Sequence, residues 1–168
     1  MAYPSIRVDM KIEGESQFDS YEHWHLIYLE SDTIFAPPEK KRETTTYAEQ
    51  EGENVDPRTV DDVFDYKVTF LIECPNSNIE NANNWIRSFN NQIRKIEGDS
   101  DIKTCKRLTI WNYYKRVQIT GIPEPIREAK EFYRDIRGHA LDCVVVELTI
   151  HVDKPSECDF NLTIPTSK

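Results

Sequence analysis

Glycine is scarce in this chain, and what there is lies scattered. Gly14, Gly52, Gly98, Gly121 and Gly138 stand far apart along the 168 positions. A phosphate-cradling loop needs closely spaced glycines so that backbone amides can approach the anion, and no GxGxxG or P-loop is present. Cysteine is sparse too. Cys74, Cys105, Cys143 and Cys158 form no CxxC pair, which excludes zinc-ribbon and thioredoxin chemistry. No GxSxG elbow offers a serine nucleophile. Long apolar runs are missing: none approaches the roughly 20 residues that a spanning helix needs. The opening MAYPSIRVDMKIEG lacks the uninterrupted apolar stretch of a secretory leader. The expectation is therefore a cytoplasmic chain with reduced thiols and no membrane partner. Basic residues are outnumbered, 21 Lys and Arg against 30 Asp and Glu, for a net charge of −9 and a pI near 5.0. Phosphate backbones are held by Lys and Arg, so sequence-specific nucleic-acid binding is not expected. An acidic wall past which DNA slides without sticking is compatible with the same numbers.

What is present is enough to fold. The chain is 38% hydrophobic and 11% aromatic, which supports a packed core, and 168 residues suit one domain spanning 1–168. Apolar residues alternate with polar ones over 6–12 (Ile6, Val8, Met10, Ile12), the mark of a half-buried strand, and a turn follows at Gly14-Glu15-Ser16. A second alternation over 23–30, with Trp24, Leu26 and Tyr28 on one side, predicts a more central strand. Pro37-Pro38 ends it. From 39 to 62 only Val55 and Val60 are aliphatic and charge is dense, so this segment reads as a solvent-facing arm or extended hairpin, with β propensity in Thr44–Thr46.

Phe64, Tyr66, Val68, Phe70 and Ile72 predict a clean strand, stopped at Pro75-Asn76-Ser77, which offers a helix N-cap. Ile79, Ala82, Trp85, Ile86, Phe89 and Ile93 then share one helical face, with Gly98 as the expected end. Strands over 105–110 and 116–122 flank a hairpin at Trp111-Asn112-Tyr113-Tyr114. The spacing of Ile126, Ala129, Tyr133 and Ile136 fits a helix over 125–136, with an extended connection as the alternative. The longest alternation, 141–152, predicts the principal strand, and 159–164 could add a short one. The pattern defines a mainly β (α+β) fold, an antiparallel β-sandwich or split barrel with one packed amphipathic helix and a long β arm.

Candidate chemistry is thin. His23 and His25, on a strand, would leave one face together and could chelate a metal, but no third ligand stands at motif spacing. The more ordinary reading is two histidines beside Trp24. Acidic residues crowd 49–62 without EF-hand spacing, and such a run is usually a solvated face. No catalytic, cofactor-binding or metal-binding residue is assigned, and the chain reads as non-enzymatic. Trp111 and Tyr113 at a hairpin tip would make a contact surface for another subunit, unless they fold back over the sheet edge.

Several residues recur in an informative order. Pro37-Pro38 precede the arm, Gly52 precedes the pair Val55-Asp56, and Tyr66-Lys67 run into Phe70. Trp85 and Phe89 mark the helix, and Tyr113-Tyr114-Lys115-Arg116-Val117 lead toward the strand at 144–152. This succession, from about His23 to Val152, resembles the N-terminal domain of the distal tail proteins of long, flexible-tailed bacteriophages. The chain departs from the family at Ala48-Glu49, where many members have Pro-Gly, and it has no room for the second, carbohydrate-binding-like domain that many carry. The resemblance implies a virion structural protein, made in the bacterial host cytoplasm. It would be a homo-oligomeric ring, commonly a hexamer, that links the tail tube to the tip or baseplate and contacts tube or baseplate proteins. Tyr47, Gly52, Val55 and Asp56 would then make subunit contacts through the arm, with Trp111 and Tyr113 as a second interface. The alternative is a cytoplasmic β-sandwich adaptor for protein partners. A metal-dependent enzyme using His23 and His25 is a third reading.

Overall fold

A computed structural model of the chain describes residues 8–39, 44–45, 54–55, 61–96, 103–134 and 140–163. The chain opens with β1 (Asp9–Ile12), a turn in which Gly14 takes φ 84°, and the short β2 (Phe18–Asp19). Helix α1 (Ser20–Trp24) and β3 (Ile27–Ser31) follow. The alternation over 23–30 therefore does not make one strand. Asp19 accepts a hydrogen bond from the Tyr21 amide (2.9 Å) and starts a helical turn, and His25, in the left-handed region at φ 55°, ends it. Buried Ser20 fixes the turn, its hydroxyl accepting from Val8 N and donating to Leu26 O. Trp24 and Leu26 are buried as the alternation required, but from a helix and its exit.

Next come β4 (Thr44–Thr45), β5 (Asn54–Val55) and β6 (Phe64–Glu73). Pro75–Ser77 forms a 3-10 turn rather than a cap. The N-cap of α2 (Ile79–Ile93) is Asn78, whose side chain accepts from Glu80 N. The helix stops at Ile93, short of Gly98. Arg94 is already extended, and β7 (Arg94–Ile96) pairs with β8 (Lys103–Cys105), while Lys106 N donates to the terminal Ile93 carbonyl. Then follow β9 (Leu108–Asn112), β10 (Val117–Pro123), β11 (Lys130–Tyr133) and β12 (Leu141–Val152).

The helix expected over 125–136 is absent from the described part of that span, which is extended. Among the described residues of its supposed face only Ile126 is buried, while Ala129 and Tyr133 are exposed and Ile136 lies outside the described residues. Asn90 holds Ile126 by two hydrogen bonds of 2.8 Å, and β12 captures the following residues as β11. The short tail strand reduces to a bridge between Gln118 and Asp159, extended by Leu162 N donating to Arg116 O.

Eight of these strands form one antiparallel sheet in the order β2-β1-β9-β10-β12-β6-β3, with β11 also on β12, and the sheet is not closed. Its spine is β6 against β12, paired from Phe64↔Val152 to Glu73↔Cys143. Along it Tyr66, Val68, Phe70 and Ile72 meet Ile150, Leu148, Val146 and Val144, all buried. Each such large apolar side chain contributes on the order of 1.5–3 kcal/mol by leaving water. Strand β10 is shared between two ladders, with Val117–Gly121 on β9 and Ile122–Pro123 on β12. The changeover falls at Gly121, where a Cβ would sit 2.4 Å from the His151 carbonyl oxygen, so only glycine fits. Helix α2 covers the core through Ala82, Phe89 and Ile93, with Trp85 and Ile86 at its margin, and Phe89 meets Trp24 edge-on at 4.8 Å.

Candidate functional site

The arm leaves the sheet where β3 and β6 stop pairing. Asp32 N donates to Lys67 O, and the Asp32 carboxylate accepts from Lys67 N, both at 3.0 Å. Farther out, Asp62 N donates to Pro38 O at 2.7 Å and Glu39 bridges Asp61. Beyond that bridge β4 and β5 pair as a two-stranded sheet of their own, Thr44↔Val55 and Thr45↔Asn54. Of the segment expected as an arm, these two short strands and the bridge at its base are what the described residues contain, and Val55 lies in the second strand. Tyr47, Gly52 and Asp56 lie outside the described residues. At the arm's foot Phe35 is 84% exposed and Val63 48% exposed, apolar area on a segment otherwise rich in charge.

Trp111 and Tyr113 belong to a different place. Trp111 is not at a hairpin tip but inside β9, half-buried and in register between Asp9 and Gln118. Tyr113 lies in the turn and donates its hydroxyl to the Asp9 carboxylate at 3.1 Å. Burial and then the Asp9 charge push its phenol above the ordinary range. Tyr114 stacks on Tyr28 at 4.9 Å with 12° between the rings. Both tyrosines are engaged by their own sheet, and Val55 of the arm is on a separate one.

The two histidines do not share a strand face. His23, in the last turn of α1, hydrogen-bonds through Nε2 with Gln92 Oε1 at 3.0 Å. His25 stacks on Trp85 at 4.2 Å and 19°. Their contacts fasten α1 to α2, and among the described residues no three His, Cys, Asp or Glu side chains gather to hold a metal. The four cysteines are free, and burial raises the pKa of each thiol, which works against a nucleophilic role. A surface concavity of about 730 Å³ is lined by Lys11, Glu15, Gln17 and His23 among others, and His23 Nε2 is already engaged there by Gln92.

Two features were not anticipated from the sequence. Arg107 donates Nη1 to both Asp153 oxygens (2.9 and 3.0 Å) and Nη2 to Glu157 (2.6 Å), clamping the exit of β12 to the entry of β9. No local spacing announces a pair 46 residues apart. The second is the run 127–134, eight consecutive exposed residues beside β12. The helical spacing of Ile126, Ala129 and Tyr133 concealed it. No family model matches the chain, and no curated protein matches it.

Proposed function

We propose that the chain is a non-enzymatic structural subunit of a phage or prophage tail, a distal-tail-like protein whose copies close into a ring between the tail tube and the tip or baseplate. The observation that carries this reading is the arm, a hairpin that leaves an open antiparallel sheet and pairs, among the described residues, only with itself. A limb of this kind has little to bury within its own chain and is suited to lie across a neighbour. The exposed Phe35 and Val63 at its foot add apolar area that a neighbour would cover. Head-to-tail contact of unlike surfaces closes into a ring when the rotation between copies divides a full turn.

The order of elements that resembles the distal tail family supports the reading as well, since the arm strands, the Tyr66 strand, the Trp85 helix and the long strand β12 follow in that order. The net charge of −9 fits a lumen that DNA traverses without adhering. In this account acidic side chains face inward, and a ring with a basic lumen would contradict it. The test is electron microscopy of the purified protein with light scattering across a concentration series. Closed rings of one subunit number support the proposal, and a chain that stays monomeric both alone and with tail-tube protein removes it.

A further inference from the structure

The geometry points to residues 127–131, the exposed run that leads into β11 and includes its first two residues, as a self-recognition edge along which a second copy of this chain adds antiparallel about a two-fold axis at Ala129. Strand β11 pairs with β12 alone, so its outer edge carries no strand among the described residues. Every residue from 127 to 134 is exposed, and this run includes Phe132 and Tyr133, at 42% and 43%. Aromatic residues on a strand with an unpaired edge mark a contact surface.

Charge order selects the occupant. The run reads Arg127-Glu128-Ala129-Lys130-Glu131. Laid antiparallel on itself about Ala129, it places Arg127 opposite Glu131 and Glu128 opposite Lys130, twice over by symmetry, and brings Ala129 against Ala129. Directly opposed cross-strand pairs of opposite sign are favourable and like pairs are not. Lys and Glu on an edge ordinarily discourage strand addition. Here the same charges repel most strands but are matched in full by an antiparallel copy. The pairing stops at Arg127, because Ile126 is buried and its backbone is held by Asn90. Lys130 already lies over the Phe132 ring at 5.2 Å, so the cation and the aromatic are presented together.

The contact is isologous and closes at two copies, so it does not depend on the arm. Added to a head-to-tail ring it would set two rings back to back.

Two single charge swaps test it on the full chain by sedimentation equilibrium. Lys130→Glu opposes two glutamates and Glu128→Lys opposes two lysines, so each alone should weaken dimerisation at least about tenfold. An equimolar mixture of the two variants, and the double swap in one chain, should both recover wild-type association. All the altered side chains are exposed, and unchanged melting curves would confirm that each variant folds. Wild type monomeric at millimolar concentration, Lys130→Glu associating like wild type, or no recovery in the mixture would each overturn the contact. A wild-type ring of unchanged mass in both single swaps would overturn it while leaving the ring reading intact.

Discussion

Asn112 on β9 donates its side-chain amide to the Tyr66 hydroxyl on β6 at 3.0 Å, across the inside of the folded sheet. The same amide reaches Ser31 on β3 at 2.8 Å, and its carbonyl oxygen accepts from Tyr114 N and Lys115 N. One buried side chain therefore ties the hairpin turn to the spine and to the strand that leads into the arm. Burial is the first cause of the raised Tyr66 phenol pKa, with its hydrogen bonds to Ser31 and Asn112 opposing it. Replacing Asn112 with Leu removes one of the two partners of the Tyr66 hydroxyl and the acceptor of two turn amides. The expected loss is about 1–3 kcal/mol for leaving buried polar groups unpaired, read as a lower urea midpoint at unchanged slope. A neutral result would mean that water reaches the site.

Gly121→Ala is a second test, aimed at the strand that serves both ladders. The added carbon would meet the His151 carbonyl oxygen at 2.4 Å, and that oxygen belongs to backbone that cannot rotate away. The substitution should cost about 1–3 kcal/mol as an overpacking change. Thermal melting would show it, and a melt equal to wild type would mean that β10 and β12 separate more easily than their register implies.

The Arg107 clamp gives a pH dependence. Burial alone would raise the Asp153 carboxyl, but the Arg107 hydrogen bonds and charge outweigh it and hold the pKa below the usual value. A carboxylate depressed in the folded state adds stability that is complete above its unfolded pKa, about 3.9, and is lost as pH falls through the lower folded value. Asp153→Asn should therefore cost about 1 kcal/mol at pH 7, the scale of a partly exposed pair. The gap from wild type should close on acidification below about pH 4. Urea titrations of both proteins at several pH values would measure it, and a gap independent of pH would contradict the assignment.

The parts of the fold that could be read locally share a property: their burial pattern repeats without interruption. Within Leu141–Val152 the residues 144–152 alternate without a break, and Ile79–Ile93 keeps one apolar face through four turns, so both elements lie where the periodicity puts them. The misread segments are those where a distant partner decides. Trp24, Leu26 and Tyr28 alternate, yet the Asp19 cap upstream turns the first of them into a helix. Ile126, Ala129 and Tyr133 keep helical spacing, yet the free edge of β12 claims the segment, and edge pairing leaves no trace in local sequence. The candidate site divides in the same way. The threonine run predicted β structure at 44–46, and Thr44–Thr45 do pair with Asn54–Val55. The placement of Trp111 within β9 and of Tyr113 on Asp9 depended on a hairpin register that the sequence leaves open by a few residues.

The central claim is that the arm is what joins one copy to the next. Its most direct measurement compares the mass and images of the full chain with those of a chain in which residues 40–60 are replaced by a short Gly-Ser linker, leaving Glu39 and Asp61 to close the base. The account predicts closed rings from the full chain, and no rings from the armless chain, which keeps the same far-UV spectrum and melting transition. Identical rings from both proteins, or no ring from the full chain even with tail-tube protein present, would contradict it.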